Sequence, residues 1–291
     1  MTQPPPPFQQ QAPVCPRHPD RISYVACQRC HRPVCPECQR QAAVGVQCVD
    51  CVNQANAGMR QIRATNGVVI RSRVPVLTYS AIALCALVYV LQLVVPRFTE
   101  NFELINPFVP EQPWRLLTAG FLHSTATLLP VHLALNMLSL WFLGRVLEPV
   151  LGHWRFGLVF LIGALGGNVA QVWLGDPRVA SLGASGAVFA IGAALLVELR
   201  KDRQQLISMA VVLGINLAYG FFLSTSIAWQ AHVGGLITGL ILGGIYAAGS
   251  KLAKRDLLHL GASILVAAAL FALGLAGGAV ALQRYIEMWH Y

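Results

Sequence analysis

Beyond residue 74 the chain is a succession of apolar runs joined by short polar connections. Their cores lie at Val76–Val95, Leu128–Leu147, Trp154–Leu174, Leu182–Leu199, Leu206–Leu223, Ala228–Ala248 and Leu258–Leu282. Each is close to the roughly 17–25 residues that a helix needs to cross the hydrocarbon of a bilayer. The pattern therefore predicts seven membrane helices. Gly163, Gly166, Gly192 and Gly214 fall inside these runs, where small residues allow close helix contact in a membrane bundle. One connection differs from the rest. The stretch NFELINPFVPEQPWRLLTAGFLHSTATLLP is too long for a tight turn and too apolar for a free loop. Trp114, Leu116, Leu117, Phe121 and Leu122 predict short amphipathic pieces lying in the outer interface.

The first 74 residues have the opposite character. They hold twelve of the charged side chains and seven of the eight cysteines. Met1–Val14 is rich in Pro and Gln and lacks a basic segment followed by an apolar one, so it reads as a disordered lead-in rather than a signal peptide. Residues 15–52 carry the cysteine pairs, and 53–74 read as a basic linker ending at a membrane surface. Whole-chain composition agrees with this division: 55% of residues are hydrophobic and 11% charged, against roughly 25% charged in soluble domains. That excludes a soluble enzyme. The net charge of +9 is absorbed by topology. With the N-terminus cytoplasmic, only Arg97, Arg115, Arg178 and Arg284 lie outside and the other basic residues lie inside. Seven spans then put the C-terminus outside the cytoplasm, in a multi-pass protein of the plasma (inner) membrane. No nucleic-acid partner is implied.

Polar residues inside the apolar runs carry the chemistry. His132 and Asn136 are four apart and share one helix face. Ser185 opens the fourth helix in GASGAVF, and His232 opens the sixth in QAHVGGLITG. Even-numbered helices run the same way, so these groups lie in one layer near the outer surface. A histidine can take the proton of a serine hydroxyl and so make it a nucleophile. Asn136, His132 and the Ser185 backbone N–H can donate to a developing oxyanion. No carboxylate shares the layer, since Glu148 and Glu198 lie at the opposite helix ends, so the pair would work as a dyad. Gly235, Gly239 and Gly243 return to the face of His232, and Gly192 stands at seven residues from Ser185, which predicts close approach of the fourth and sixth helices. Phe189, one turn after Ser185, is placed to stack on His232. Read from the residues alone, an enzyme, a transporter or channel, and a helix-binding scaffold all stay open.

Read together, these motifs resemble the rhomboid family of intramembrane serine proteases. The resemblance covers the chain from about Val74 onward. It rests on Trp114-Arg115, His132-x-x-x-Asn136, Gly183-x-Ser185-Gly186, and Ala231-His232-x-Gly234-Gly235 followed by Gly239. It implies an all-α polytopic fold, with a six-helix catalytic core over 75–250 and a seventh helix in 251–291. It implies Ser185 as nucleophile and His232 as base and later acid, with no catalytic cofactor. Asn136, His132 and the Ser185 N–H would stabilise the oxyanion, Gly183 and Gly186 would let the backbone turn, and Phe189 would pack on the histidine. Trp114 and Arg115 would brace the long loop, while Arg145 and Glu148 match a structural pair of that family. Substrates would be transmembrane proteins within the lipid bilayer, cut near the outer end of a span and admitted between the second and fifth helices. The other reading is a catalytically inactive rhomboid-like membrane adaptor.

The N-terminal spacing is Cys15-x2-His18, Cys27-x2-Cys30, Cys35-x2-Cys38 and Cys48-x2-Cys51. Eight soft ligands in four pairs predict two structural, fully coordinated tetrahedral zinc sites. A reducing cytoplasm and an odd number of cysteines disfavour disulfides. The order resembles cross-braced B-box and RING-type fingers, which implies Cys15/His18/Cys35/Cys38 at one site and Cys27/Cys30/Cys48/Cys51 at the other. A sequential pairing is the alternative. His31 is then a bystander, Cys85 is ordinary packing in the first helix, and the domain is a module for a cytosolic protein partner.

Overall fold

The computed structural model describes residues 12–58, 74–126, 130–223, 228–248 and 254–288. Most of the expected lead-in, the linker arginines Arg60, Arg63, Arg71 and Arg73, and Lys251 lie outside the described residues. Internal contacts divide the chain into two compact units, Met1–Gln61 and Ile62–Tyr291.

The first unit is built around its cysteines. Strands β1 (Val14–Cys15) and β2 (His18–Ile22) pair antiparallel, as do β3 (Gln39–Gln41) and β4 (Val46–Cys48). Helix α1, Val49–Gly58, follows β4 and carries the chain into what the sequence reads as linker. The buried hydrophobic core consists of Val34 and six cysteines, while Ile22, Tyr24 and Val44 face outward. So small an apolar core does not sustain a fold by itself.

The second unit is a helical membrane bundle. Helices α2 (Val76–Val94), α5 (Val131–Leu151), α6 (His153–Leu174), α8 (Arg203–Ala218), α9 (Trp229–Ala248) and α10 (Arg255–Glu287) are numbered here with two short pieces, α3 (Phe98–Phe102) and α4 (Arg115–Thr118), between the first two. The six long ones, α8 together with the π-helical turn at Tyr219–Leu223 that continues it, are long and apolar enough to span a membrane. The fourth expected span is shorter than its apolar run. Helix α7, Ser185–Leu199, has 15 residues, about 22 Å at the α-helical rise, against about 30 Å of hydrocarbon. Residues 182–184 are apolar but non-helical, because Gly183 has a φ of +137° and donates its N–H to the Ala119 carbonyl. A second positive φ, +82° at Gly152, ends α5 and reverses the chain into α6.

Helices α6, α7 and α9 form the centre, and most of α7 is buried. Their seams are nearly bare backbone. A Cβ on Gly235 would stand 2.0 Å from the Gly186 oxygen, and one on Gly239 would stand 2.1 Å from the Ala190 oxygen. Gly163 and Gly166 of α6 instead make room for small side chains, those of Ala190 and Thr238. The stripe of α7 facing α9 is therefore Gly186, Ala190 and Ala194. Gly192 lies on a different face and receives Leu213 of α8, and a Cβ on Gly214 would meet nothing within 4 Å. The expectation that Gly192 lines the α7–α9 seam is corrected accordingly: at about 100° per residue it shares the face of Ser185 and points about 160° away from Ala190 and Ala194.

Glu148 anchors the opposite end of the bundle. Its carboxylate accepts hydrogen bonds from the Leu77 and Thr78 N–H groups (both 2.8 Å) and the Thr78 hydroxyl (2.6 Å), and pairs with His153 Nδ1. It thus caps the start of α2 from α5. Arg145 instead lies over the Trp141 ring, 4.4 Å from its centroid. The two residues hold separate contacts rather than pairing with each other.

Candidate active site and candidate metal centres

Ser185 is the first residue of α7, and the strand leading into it is held from the long α2–α5 connection. Leu104 and Ser181 exchange two backbone hydrogen bonds of 2.9 Å, and the Gly183 N–H bond to Ala119 follows two residues later. That connection consists of the short amphipathic pieces its sequence suggests: α3, single turns at Asn106–Phe108 and Ala119–Phe121, and α4. Arg115 is buried among them and ties them together. It donates to the Glu100 and Glu103 carbonyls (2.8 and 2.6 Å) and to Gln112 Oε1 (2.6 Å). Trp114 Nε1 donates to the Asn101 carbonyl.

His232, in the first turn of α9, is 7% exposed. Its ring is stacked on Phe189, with centroids 4.3 Å apart and planes 15° apart. Its Nδ1 has no hydrogen-bond partner among the described residues. A Cβ on Gly167 would touch both the Ala231 oxygen and Gly186 Cα, so the residues next to His232 and Ser185 meet at one level of the bundle. Ser185 Oγ and His232 are not joined by a hydrogen bond among the described residues.

His132 and Asn136 project from the first turns of α5. The Ser124 N–H donates to His132 Nδ1 (3.2 Å), so a neutral ring carries its proton on Nε2. That nitrogen lies beside Gly183, 3.1 Å from where a Cβ would be, and Ser185 Oγ is 3.9 Å from the same point. Asn136 is buried and gives one amide hydrogen to the His132 carbonyl (2.9 Å), leaving its other hydrogen to donate. A third histidine escapes sequence reading. His123 is fully buried, its ring lies 5.3 Å from that of His132, and neither ring nitrogen has a partner among the described residues. Gln92 grips its backbone N–H and C=O. The sequence offers only a lone histidine in a connection that mixes apolar and polar residues.

The donor atoms of Cys15, His18, Cys35 and Cys38 lie within 4.8 Å of one another, and so do those of Cys27, Cys30, Cys48 and Cys51. Alternate pairs therefore combine, and His31 is in neither cluster. His18 Nδ1 is 3.2 Å from Cys35 Sγ and 3.4 Å from Cys38 Sγ, and Cys30 and Cys48 sulfurs are 3.7 Å apart. A tetrahedron with zinc–sulfur bonds of about 2.3 Å has sulfur–sulfur edges of about 3.8 Å, whereas a disulfide requires about 2.05 Å. Backbone N–H groups point at the sulfurs, as from Cys48 to Cys27 and from Cys51 to Cys48. N–H donation from Cys35 and Arg17 brings the Cys15 thiol down to about 6. Hydrogen bonding with Cys48, and burial, push Cys51 up to about 12. The three sulfurs beside His18, like the four sulfurs of the second cluster, can all ionise only around a cation, so each donor set fits a metal dication.

The fold and this site define a polytopic membrane protein with a serine, two histidines and an asparagine at the starts of its helices and a third histidine in the connection beside them. Residues 110–249 match the family model of the Rhomboid domain. The chain is 34% identical over 190 residues to the Rhomboid protease GluP of Bacillus subtilis (strain 168), a match covering 61% of this chain and 36% of that protein. It is 38% identical over 139 residues to RHOMBOID-like protein 2 of Arabidopsis thaliana, covering 45% and 42%. With Rhomboid-related protein 3 of Homo sapiens it shares 31% over 174 residues, covering 53% and 42%. The matches thus span less than half the length of these curated relatives. The family model and the relatives support a rhomboid-family membrane protein.

Proposed function

We propose that this protein is an intramembrane serine endopeptidase working by a Ser185–His232 dyad. Ser185 Oγ would attack the scissile carbonyl while His232 takes its proton, then returns it to the leaving amine as the carbonyl is regenerated. Water would repeat the cycle on the acyl-serine. The oxyanion would receive the Ser185 N–H, free at the start of α7, the Nε2–H of His132 and the second amide hydrogen of Asn136. The stacked Phe189 would restrict His232 to one ring plane. Substrates would be single membrane spans, admitted between α5 and α8, and cut near their extracytoplasmic ends. Because α7 is shorter than the hydrocarbon, its first residue would lie below the membrane surface, at a depth where a span must unwind to be cut.

The observation that carries this reading is the backbone contact of Gly186 with Gly235, which sets the helix starts bearing Ser185 and His232 against each other. A serine-directed phosphonate tests it: membranes containing the protein should show label on Ser185, lost in His232→Ala. Label on other serines only would refute the assignment. The inactive adaptor is the weaker reading, since both dyad residues are present.

In the first unit, Cys15, His18, Cys35 and Cys38 would hold one zinc ion and Cys27, Cys30, Cys48 and Cys51 a second. With four protein ligands each, the ions would stabilise a B-box/RING-like fold and take no part in catalysis. The distribution of basic residues supports a cytoplasmic N-terminus and cysteine unit, with the C-terminus outside, in a protein of the plasma (inner) membrane; a cytosolic protein would be the unit's partner.

A further inference from the structure

Helix α10 lies outside the residues that match the Rhomboid domain, 110–249. It has 33 residues, about 50 Å of helix, and its polar and small positions are not spread evenly. At the start, Asp256 pairs with Arg155 of α6, His259 Nδ1 accepts from Arg155 Nε (2.9 Å), and Ser263 bonds the Tyr246 hydroxyl of α9 (2.7 Å). At the far end three buried glycines press on the α2–α5 connection and on α6. A Cβ on Gly274 would be 2.6 Å from Leu116 Cδ1, one on Gly277 2.6 Å from Trp173 Nε1, and one on Gly278 2.7 Å from Val109 Cβ. Trp173 Nε1 in turn donates to the Leu273 carbonyl (2.9 Å).

Leu116 and Val109 are not ordinary packing partners. They are buried in one cluster with Leu104 and Ala119. Leu104 is the residue that pairs with Ser181, and Ala119 supplies the oxygen that accepts the Gly183 N–H. An unbroken set of contacts therefore runs from the glycine face of α10, through the long connection, to the two backbone anchors of the strand that enters Ser185. A bulkier α10 face would push this cluster, and the hydrogen bonds at its other side would yield before the close-packed α6–α7–α9 centre does.

We infer that the outer half of α10 is a positioning element: its Gly274–Gly278 face presses the α2–α5 connection inward and so holds the strand before Ser185 in register. The idea rests on the protease reading for its effect on turnover, but its structural part does not. Hydrogen exchange at the Leu104, Ser181 and Gly183 amides reads the structural part directly, on the full-length protein in nanodiscs. Gly274→Ala and Gly278→Ala should each speed exchange at these three amides and lower kcat, with KM little changed, by between about tenfold and a hundredfold, as for a displacement of about 1 Å at a reacting centre. Leu116→Val, which removes the atom that the new Cβ meets, should restore both in the Gly274→Ala background. Ser263→Ala, at the opposite end of the same helix, should change neither. Exchange as in the wild type in both glycine variants would overturn the inference, as would equal acceleration by Ser263→Ala. Should either variant not fold, the other carries the test, and loss of folding in both while Ser263→Ala folds would show a general core role and also overturn it. A wild type that exchanges slowly at these amides but cleaves nothing would count against the protease reading alone.

Discussion

At the scale of single residues the site depends on atoms that are missing. Gly235 lets α9 reach the Gly186 carbonyl, where a Cβ would sit at 2.0 Å from a backbone oxygen that cannot step aside. Gly235→Ala should therefore destabilise the bundle by about 1–3 kcal/mol, the usual cost of overpacking, and lower the thermal midpoint in detergent. An unchanged midpoint would mean that the helices do not touch there. Gly183 has a different reason to be glycine. Its φ of +137° is one that side chains rarely adopt, and His132 Cε1 lies 3.0 Å from its Cβ position. Gly183→Ala should cost about 1–3 kcal/mol through strain and displace the His132 ring. Its signature would be a fall in kcat larger than any loss of folded protein, read by comparing turnover with near-ultraviolet circular dichroism. The sequence makes Ser185, His232, His132 and Asn136 conspicuous, because polar groups stand out in apolar runs. It does not make His123 conspicuous, because the connection that carries it has no regular period to break.

At the scale of elements, two buried charged or thiol-rich clusters do work that hydrophobic packing does elsewhere. Glu148 accepts three hydrogen bonds from the first turn of α2 and pairs with His153. Bonds to a charged group contribute about 1.5–3 kcal/mol each, so Glu148→Ala should lower the midpoint more than Gly235→Ala does. Equal or smaller loss would show that α2 is held by lipid and apolar contacts instead. In the cysteine unit the prediction is compositional: metal analysis of the purified chain should find two zinc ions, and Cys27→Ser should reduce this to one. Two ions in that variant, or none in the wild type, would refute the two-site assignment. Element boundaries show where sequence reading stops. The apolar run at 182–199 is real, but helix geometry begins later, at Ser185, because Gly183 takes a φ of +137°. Hydropathy registers which residues avoid water and is indifferent to how their backbone turns. The ligand spacing gave four pairs without deciding which combine; chain path decides that, through the β1–β2 and β3–β4 pairings.

At the scale of the whole molecule, a tripartite centre of α6, α7 and α9 is wrapped by helices that expose large apolar side chains such as Leu87, Leu93, Ile215 and Leu265. Such surfaces are costly in water and ordinary in lipid. Among the described residues six helices can span the hydrocarbon, and the fourth apolar segment is short and enclosed. This asymmetry gives the site its proposed depth, since the enclosed helix is the one that starts with Ser185. The most direct test of the central claim is cleavage of a panel of single-span substrates in membranes by the wild type and by Ser185→Ala. The account predicts new fragments with the wild type and none with the variant, at equal amounts of folded protein. Fragments that persist in Ser185→Ala would contradict it.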